Sequence, residues 1–225
     1  MVYYKIQGSI VRIPVGKIVG LIRTYPEHAQ EMNSPVLEQL HFFLKPESAV
    51  IFNNQVIRLP PQSAHVHHEV ELGVIIGKTC TNCAPDHALE YVFGYLVGLD
   101  ITARDIQTDA KKQGLPWGIA KGFDTFAPLS DVVLKKSIPH PNNLEIELQV
   151  NGVVKQHSNT KHMVCTVEQL ISYISSIMTL KRGDLILTGT PEGIGEIQDG
   201  DRLDARLDSY CSLHVTVKKN NVMLS

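Results

Sequence analysis

The stretch His67-His68-Glu69-Val70-Glu71-Leu72-Gly73-Val74-Ile75-Ile76-Gly77-Lys78 reads as a strand that is apolar along its length except for two carboxylates. Side chains alternate faces along a strand, so Glu69 and Glu71 share one side while Val70, Leu72, Val74 and Ile76 share the other. Residues two apart lie about 6.6 Å from each other at a rise of about 3.3 Å per residue, close enough for both carboxylates to reach one ion. Left unpaired they would repel and resist desolvation, so the pattern calls for positive charge between them. All-oxygen ligation suits a hard divalent cation such as Mg2+ or Mn2+ better than zinc. The competing reading is a half-exposed strand with two solvated glutamates.

Around this strand the chain has 225 residues, 43% apolar and 20% charged, a length and composition that suit one large globular domain or two small ones. A net charge of -2 with no basic run leaves no electrostatic footprint for nucleic acid, while a small anionic substrate fits. No apolar run is long enough to span a bilayer and no charged-then-apolar leader is visible, so the expectation is a cytoplasmic protein. Cys80, Cys83, Cys165 and Cys211 read as reduced thiols, because the one C-x-x-C lacks the second pair a structural zinc site needs.

Residues 1–22 alternate weakly and suggest a small N-terminal hairpin. Pro26 then opens a helical stretch on which His28 and Glu31 are i, i+3 neighbours sharing a face. The apolar run Phe93-Gly94-Tyr95-Leu96-Val97-Gly98-Leu99 stops abruptly at Asp100, a carboxylate at the mouth of a buried strand. From Ala103 to Gln113 the residues suit a polar helix stopped by Gly114. Leu144, Ile146, Leu148 and Val150 alternate toward the Asn151-Gly152 turn of a hairpin. Thr166 and Gln169 form a capping-box pattern ahead of the stripe Leu170, Ile171, Ile174, Ile177 and Met178, which Gly183 is expected to end. The strand at 184–187 opens into Thr188-Gly189-Thr190-Pro191-Glu192-Gly193-Ile194-Gly195, whose glycines let backbone approach a ligand. That loop lacks the G-K-[ST] of a nucleotide P-loop, and no G-x-S-x-G elbow is present. Strands outnumber helices without a regular strand-helix rhythm, which predicts an α+β, mostly β architecture.

His65-Val66-His67 with Glu71 and Gly77 nearly reproduces the first metal motif of cupin proteins, but the second motif's histidine is missing after Pro191-Glu192-Gly193. A different resemblance covers residues 17–218. The run at 67–73, Leu99-Asp100-Ile101-Thr102-Ala103-Arg104-Asp105, Gly114-Leu115-Pro116-Trp117 with Ala120-Lys121, and residues 180–195 together resemble the fumarylacetoacetate hydrolase family, in its short acylpyruvase and oxaloacetate decarboxylase branch.

That resemblance implies one catalytic domain, a mixed sheet wound into a roll, with residues 1–16 as a small N-terminal extension. It implies a divalent metal, Mg2+ with Mn2+ or Ca2+ as substitutes, held by Glu69, Glu71 and Asp100. Lys121 matches the lysine that steadies a developing enolate, and His28 with Glu31 match a His-x-x-Glu pair that activates water. Arg23, Tyr25, Arg104, Gln107 and Thr190 match substrate-binding positions. The family usually reads Gly-Arg-Asn-Tyr before the His-x-x-Glu pair; here Leu21 and Ile22 separate Gly20 from Arg23, and Thr24 stands for the asparagine. The implied activity is cleavage of a C-C bond next to a 2-keto acid, by hydrolysis of an acylpyruvate or decarboxylation of oxaloacetate, with isomerase or tautomerase chemistry on the same scaffold as the alternative. A homodimer is also implied.

Overall fold

In the computed structural model, residues 1–32 and 39–220 are described. The chain runs through β1 (Ile18–Ile22), α1 (Pro26–Glu31), β2 (His41–Lys45), β3 (Val50–Phe52), β4 (Val56–Leu59), β5 (Val66–His68) and β6 (Val70–Ile76). Its middle holds α2 (Pro85–Ala88), β7 (Val92–Leu99), β8 (Thr102–Ala103), α3 (Arg104–Gln113), α4 (Gly118–Lys121), β9 (Ala127–Leu129) and β10 (Val133–Leu134). The last third comprises β11 (Glu145–Val150), β12 (Val153–Asn159), α5 (Val167–Ile177), β13 (Leu185–Leu187), β14 (Gly195–Glu196), β15 (Arg202–Leu207) and β16 (Cys211–Lys219).

The strand β6 lies in the middle of a mixed eight-stranded sheet ordered β2-β1-β13-β6-β7-β9-β3, with β10 added beside β7. A five-stranded sheet, β12-β11-β15-β16-β4, packs against one face, and a small β14-β5-β8 sheet closes the end where β6 begins. This is the curled, mostly β, mixed architecture that the sequence predicts. Both faces of β6 are buried, which removes the half-exposed alternative. Val70, Leu72, Val74 and Ile76 enter the larger core with Ile146 and Leu148 of β11, Leu213 and Val215 of β16, and Leu170, Ile171 and Ile174 of α5. Ile75 enters a second core on the opposite face, with Ile18, Leu96 and Leu185. Truncating a side chain as enclosed as Leu72 to alanine costs about 2–5 kcal/mol, since the neighbouring strands cannot collapse into the space.

Two expectations are corrected. Residues 1–22 form only a fragment of the expected hairpin: an antiparallel bridge joins Tyr3 to Pro14, flanked by backbone bonds from Tyr4 to Ile13 and from Val15 to Val2, while β1 pairs instead in parallel with β13 and antiparallel with β2. The apolar residues Tyr4, Ile6, Ile13 and Val15 are spent covering the far face of the large sheet, and burial there outweighs local pairing. The α5 stripe ends at Ile177, well before Gly183, because Met178 leaves in an extended conformation; Gly183, at φ +91, makes the turn into β13.

The capping box is formed: Thr166 Oγ1 accepts from the Gln169 amide at 3.3 Å and Gln169 Oε1 accepts from the Thr166 amide at 2.8 Å. Thr166→Ala is expected to cost about 1 kcal/mol of stability, read as a lowered Tm, without changing divalent-ion affinity.

Candidate metal centre and active site

Strand register brings the carboxylates together. Val70 of β6 pairs with Leu99 of β7, so the residues just beyond, Glu69 and Asp100, lie side by side, and the Asp100 amide donates to the Glu69 carbonyl at 2.8 Å. Glu69 occupies the joint between β5 and β6, two residues from Glu71. One oxygen from each of Glu69, Glu71 and Asp100 lies within 4.8 Å of the others, and all three residues are buried.

Their charge is answered unevenly. Arg104, opening α3, pairs with Glu69 Oε1, and Lys121, closing α4, donates to Glu69 Oε2 at 2.9 Å, to Asp100 Oδ2, and to Thr102 Oγ1 at 2.7 Å. Lys45, at the end of β2, donates to Asp100 Oδ1 at 2.6 Å and to the Ile101 carbonyl at 3.1 Å. Glu71 accepts from the Gly189 amide at 2.6 Å and has no cationic partner among the described residues. Burial would raise the Glu69 carboxyl, but Lys121 and Arg104 hold it below the usual range; burial, Asp100 and Glu69 all push Glu71 well above it. For Lys121, burial favours the neutral form, yet Asp100 and Glu69 keep its ammonium more stable than that of a free lysine. Three buried anionic oxygen donors, one of them under-compensated, fit a hard divalent cation.

Gly189 reaches Glu71 because it adopts φ +95, and a Cβ there would meet Thr24 Oγ1 at 2.0 Å. The loop at 188–195 is held from two sides. Thr24 Oγ1 donates to the Thr188 carbonyl at 2.6 Å, and Gln156 Nε2 donates to Thr190 Oγ1 at 2.8 Å and to the Pro191 carbonyl at 2.9 Å. Gln156 Oε1 meanwhile accepts from the Val70 amide at 3.0 Å and faces His68 Nδ1 at 3.0 Å, so one buried amide fixes both the loop and the start of β6.

Across from the triad, His28 Nδ1 lies 3.1 Å from Glu31 Oε2, while Glu31 Oε1 accepts from the Gly193 amide at 3.0 Å. Arg23, His28, Glu69, Glu71, Arg104, Gln107, Lys121 and Thr190 line one cavity. Gln107 is buried and its Oε1 accepts from Arg104 Nη1 at 2.5 Å, holding the guanidinium. Asp100 lies beneath Lys121, and Glu31 stands behind His28. Tyr25 does not line the cavity; it is fully buried, and its hydroxyl has no hydrogen-bond partner among the described residues.

Lys45, Thr102 and Gln156 escape sequence reasoning. Each sits in an unremarkable strand context, and only for Lys45 is there a faint signal, a charged residue ending an otherwise aromatic strand. The cupin-like histidines do not join the triad. His65 is exposed beside Glu196, and His67, pushed down to about 4 by burial and Arg104, lines a separate surface cleft. Cys80 and Cys83 are free and buried.

A curled mixed sheet with a buried carboxylate triad at its mouth is an enzyme fold, and the sequence places the chain within one enzyme family. The chain belongs to the fumarylacetoacetate hydrolase family, matching its C-terminal domain over residues 17–218. It is 42% identical over 202 residues to the human protein named oxaloacetate tautomerase FAHD1, mitochondrial, covering 90% of this chain and 91% of that one. It is 43% identical over 209 residues to a Dictyostelium discoideum oxaloacetate decarboxylase, mitochondrial, covering 91% and 96%. The crystal structure of fumarylpyruvate hydrolase from Pseudomonas aeruginosa, in complex with Mn2+ and pyruvate, superposes with a TM-score of 0.92 at 36% identity, covering 97% of this chain and 96% of that chain. Among the described residues no helix is long and apolar enough to cross a membrane.

Glu71→Gln is expected to weaken Mg2+ and Mn2+ binding at least a hundredfold by calorimetry, because an amide cannot replace the lost charge. In EDTA the same variant should melt no lower than the wild type, since burial, Asp100 and Glu69 already favour the neutral carboxyl and a glutamine oxygen can still accept from the Gly189 amide.

Proposed function

We propose that this protein cleaves a C-C bond adjacent to a 2-keto acid with the help of a divalent cation, hydrolysing acylpyruvates or decarboxylating oxaloacetate. The observation that carries this reading is the opposition, across one cavity, of a buried carboxylate triad braced by Lys121 and Arg104 and a His28–Glu31 pair at 3.1 Å. The decarboxylase name of the Dictyostelium relative and the fumarylpyruvate hydrolase name, Mn2+ and pyruvate of the Pseudomonas structure support it. A cation held by Glu69, Glu71 and Asp100 would supply Lewis-acid polarisation of the keto oxygen.

The chain's own residues do the rest. Arg104, steadied by Gln107, presents a planar fork to the substrate carboxylate. Lys121 is pinned by Glu69, Asp100 and Thr102, so its ammonium stands ready where negative charge develops and needs no reorganisation. Glu31 orients the His28 imidazole through Nδ1, leaving Nε2 as the base that takes a proton from water. The resulting hydroxide adds to the acyl carbonyl, the C-C bond breaks, its electron pair enters the pyruvate enolate beside Lys121, and a proton returned to carbon gives pyruvate. Decarboxylation generates the same enolate with no attacking water.

A second reading, tautomerisation of oxaloacetate, is favoured by the name of the human relative. It requires proton transfer at carbon and oxygen but no bond cleavage. A substrate panel assayed for pyruvate release, with Mg2+ and with EDTA, separates the two: tautomerisation leaves pyruvate at background while the enol absorbance of oxaloacetate still relaxes faster.

Glu31→Ala is expected to slow acylpyruvate hydrolysis about a hundredfold to ten-thousandfold, while affinity for oxalate, an enolate mimic, stays within a few-fold of wild type. Lys121→Ala should damage both. Hydrolysis by Glu31→Ala within a few-fold of wild type would remove the dyad from the mechanism. The family reading also carries a homodimer into this proposal, to be checked by light scattering against the 25.0 kDa mass of one chain.

A further inference from the structure

The C-x-x-C at Cys80-Thr81-Asn82-Cys83 lies beyond the end of β6 that is remote from the carboxylates, and the proposed reaction makes no use of it. Glu71 and Ile76, the last residue of β6, are five steps apart, which at about 3.3 Å each sets the loop after β6 about 16 Å from the triad. Cys80 exchanges two backbone hydrogen bonds with Leu180, both at 2.9 Å, so its backbone is pinned. Asn82, at φ +48, turns the chain back, and its amide donates to the Ser175 carbonyl at 2.9 Å. The Cys83 amide donates to Ser175 Oγ at 3.0 Å, and the Ser175 hydroxyl donates to Cys83 Sγ at 3.4 Å. The Cys80 thiol meets the same two groups, Cys83 and Ser175. Both thiols thus turn inward onto the last turn of α5: Cys80 is 2% and Cys83 8% exposed, while Thr81 and Asn82 between them are exposed.

Two thiols held against one hydroxyl do not make a structural zinc site, which needs four ligands. Among the described residues, the carboxylate triad is the only group of three or more histidine, cysteine or acidic side chains within ligand distance of one another. The two thiols are also unequal. Burial, ahead of its contact with Cys83, pushes the Cys80 thiol up to about 11, which leaves it protonated and slow to open an exchange. Cys83 is tied to α5 through Ser175 alone among side chains, and the end of a helix is where local opening is cheapest. Such an opening uncovers Cys83 to a small molecule while Leu180 still holds Cys80 in place.

We propose that Cys80 and Cys83 are an oxidisable dithiol, which low-molecular-weight disulfides convert to an intrachain disulfide that staples the exit of β6. The Cys83 thiolate attacks one sulfur of the small disulfide; the S–S bond of the reagent breaks, and its departing thiolate takes up a proton. Cys80, giving its proton to solvent, then attacks the Cys83 sulfur and expels the second reagent thiolate, which is protonated in turn. Two protein thiols lose two electrons and the reagent disulfide gains them as two thiols. Little further order is needed, because only two residues separate the cysteines and both flanks are already hydrogen-bonded.

The test incubates the reduced, native full chain with oxidised glutathione at mildly alkaline pH, then counts free thiols and reads masses. Two of the four thiols should disappear with the loss of two hydrogens and no glutathione retained. The tryptic peptide 79–104, which holds both cysteines, should carry the bridge, and excess dithiothreitol should restore all four thiols. The oxidised chain should melt about 4–8 °C higher, since a closed four-residue loop restricts the unfolded chain. Its Mg2+ affinity should stay within a few-fold of that of the reduced chain, the triad lying at the other end of β6. Cys80→Ser should keep one glutathione on Cys83, having no second thiol to release it. Cys165→Ala/Cys211→Ala leaves the pair untouched and should still form the bridge, which keeps the test valid where Cys80→Ser does not fold. Four thiols surviving the treatment, glutathione retained on wild-type Cys83, or an oxidised chain that melts no higher than the reduced one would overturn the proposal.

Discussion

Three carboxylates buried within reach of one ion are the constraint on which this structure depends. Each costs several kcal/mol to take out of water unless positive charge and hydrogen bonds answer it. The fold supplies those answers from separate places: Lys45 from an edge of the large sheet, Arg104 from the start of α3, Lys121 from the end of α4, and the Gly189 amide from the loop after β13. Folding of the sheet and assembly of the site are therefore one event, because no element carries both a carboxylate and its counter-charge. Glu71, with a single backbone donor and no cationic side chain paired with it among the described residues, is the member whose charge is least answered.

The two walls of the cavity are built differently. On the triad side, β6 and β7 are buried on both faces and their antiparallel register fixes Glu69 against Asp100, so the carboxylates stand beside fully buried strands. The opposite side rests on the short helix α1 and the loop at 188–195, held by a few side-chain bonds through Thr24, Glu31 and Gln156. Such an arrangement sets a densely bonded wall opposite one held by few side-chain bonds. The hydrogen bond from the Gly193 amide to Glu31 joins the two parts of that wall.

Much of this was legible in the sequence, for identifiable reasons. The period-two pattern of residues 70–76, the capping box at Thr166, Gly114 after α3 and the Asn151-Gly152 turn are local signals, decided by backbone sterics and hydrogen bonding within a few residues. The structure bears out each. Glu69, Glu71 and Asp100 were legible as carboxylates where greasy strands should continue, and His28 with Glu31 as a helical i, i+3 pair. What could not be read locally was read wrongly or missed. Residues 1–22 alternate as a hairpin would, but their apolar side chains cover the large sheet, a choice set by surface many residues away.

By itself, then, the sequence determined the elements, their buried faces and the residue types capable of metal and acid-base chemistry, because those follow from short-range periodicity and from the cost of burying charge. Only the tertiary structure decided that Glu69 stands beside Asp100, since that depends on the register of β6 against β7. Only the tertiary structure recruited Lys45, Thr102 and Gln156, polar residues whose sequence neighbours give no hint of the buried groups they meet.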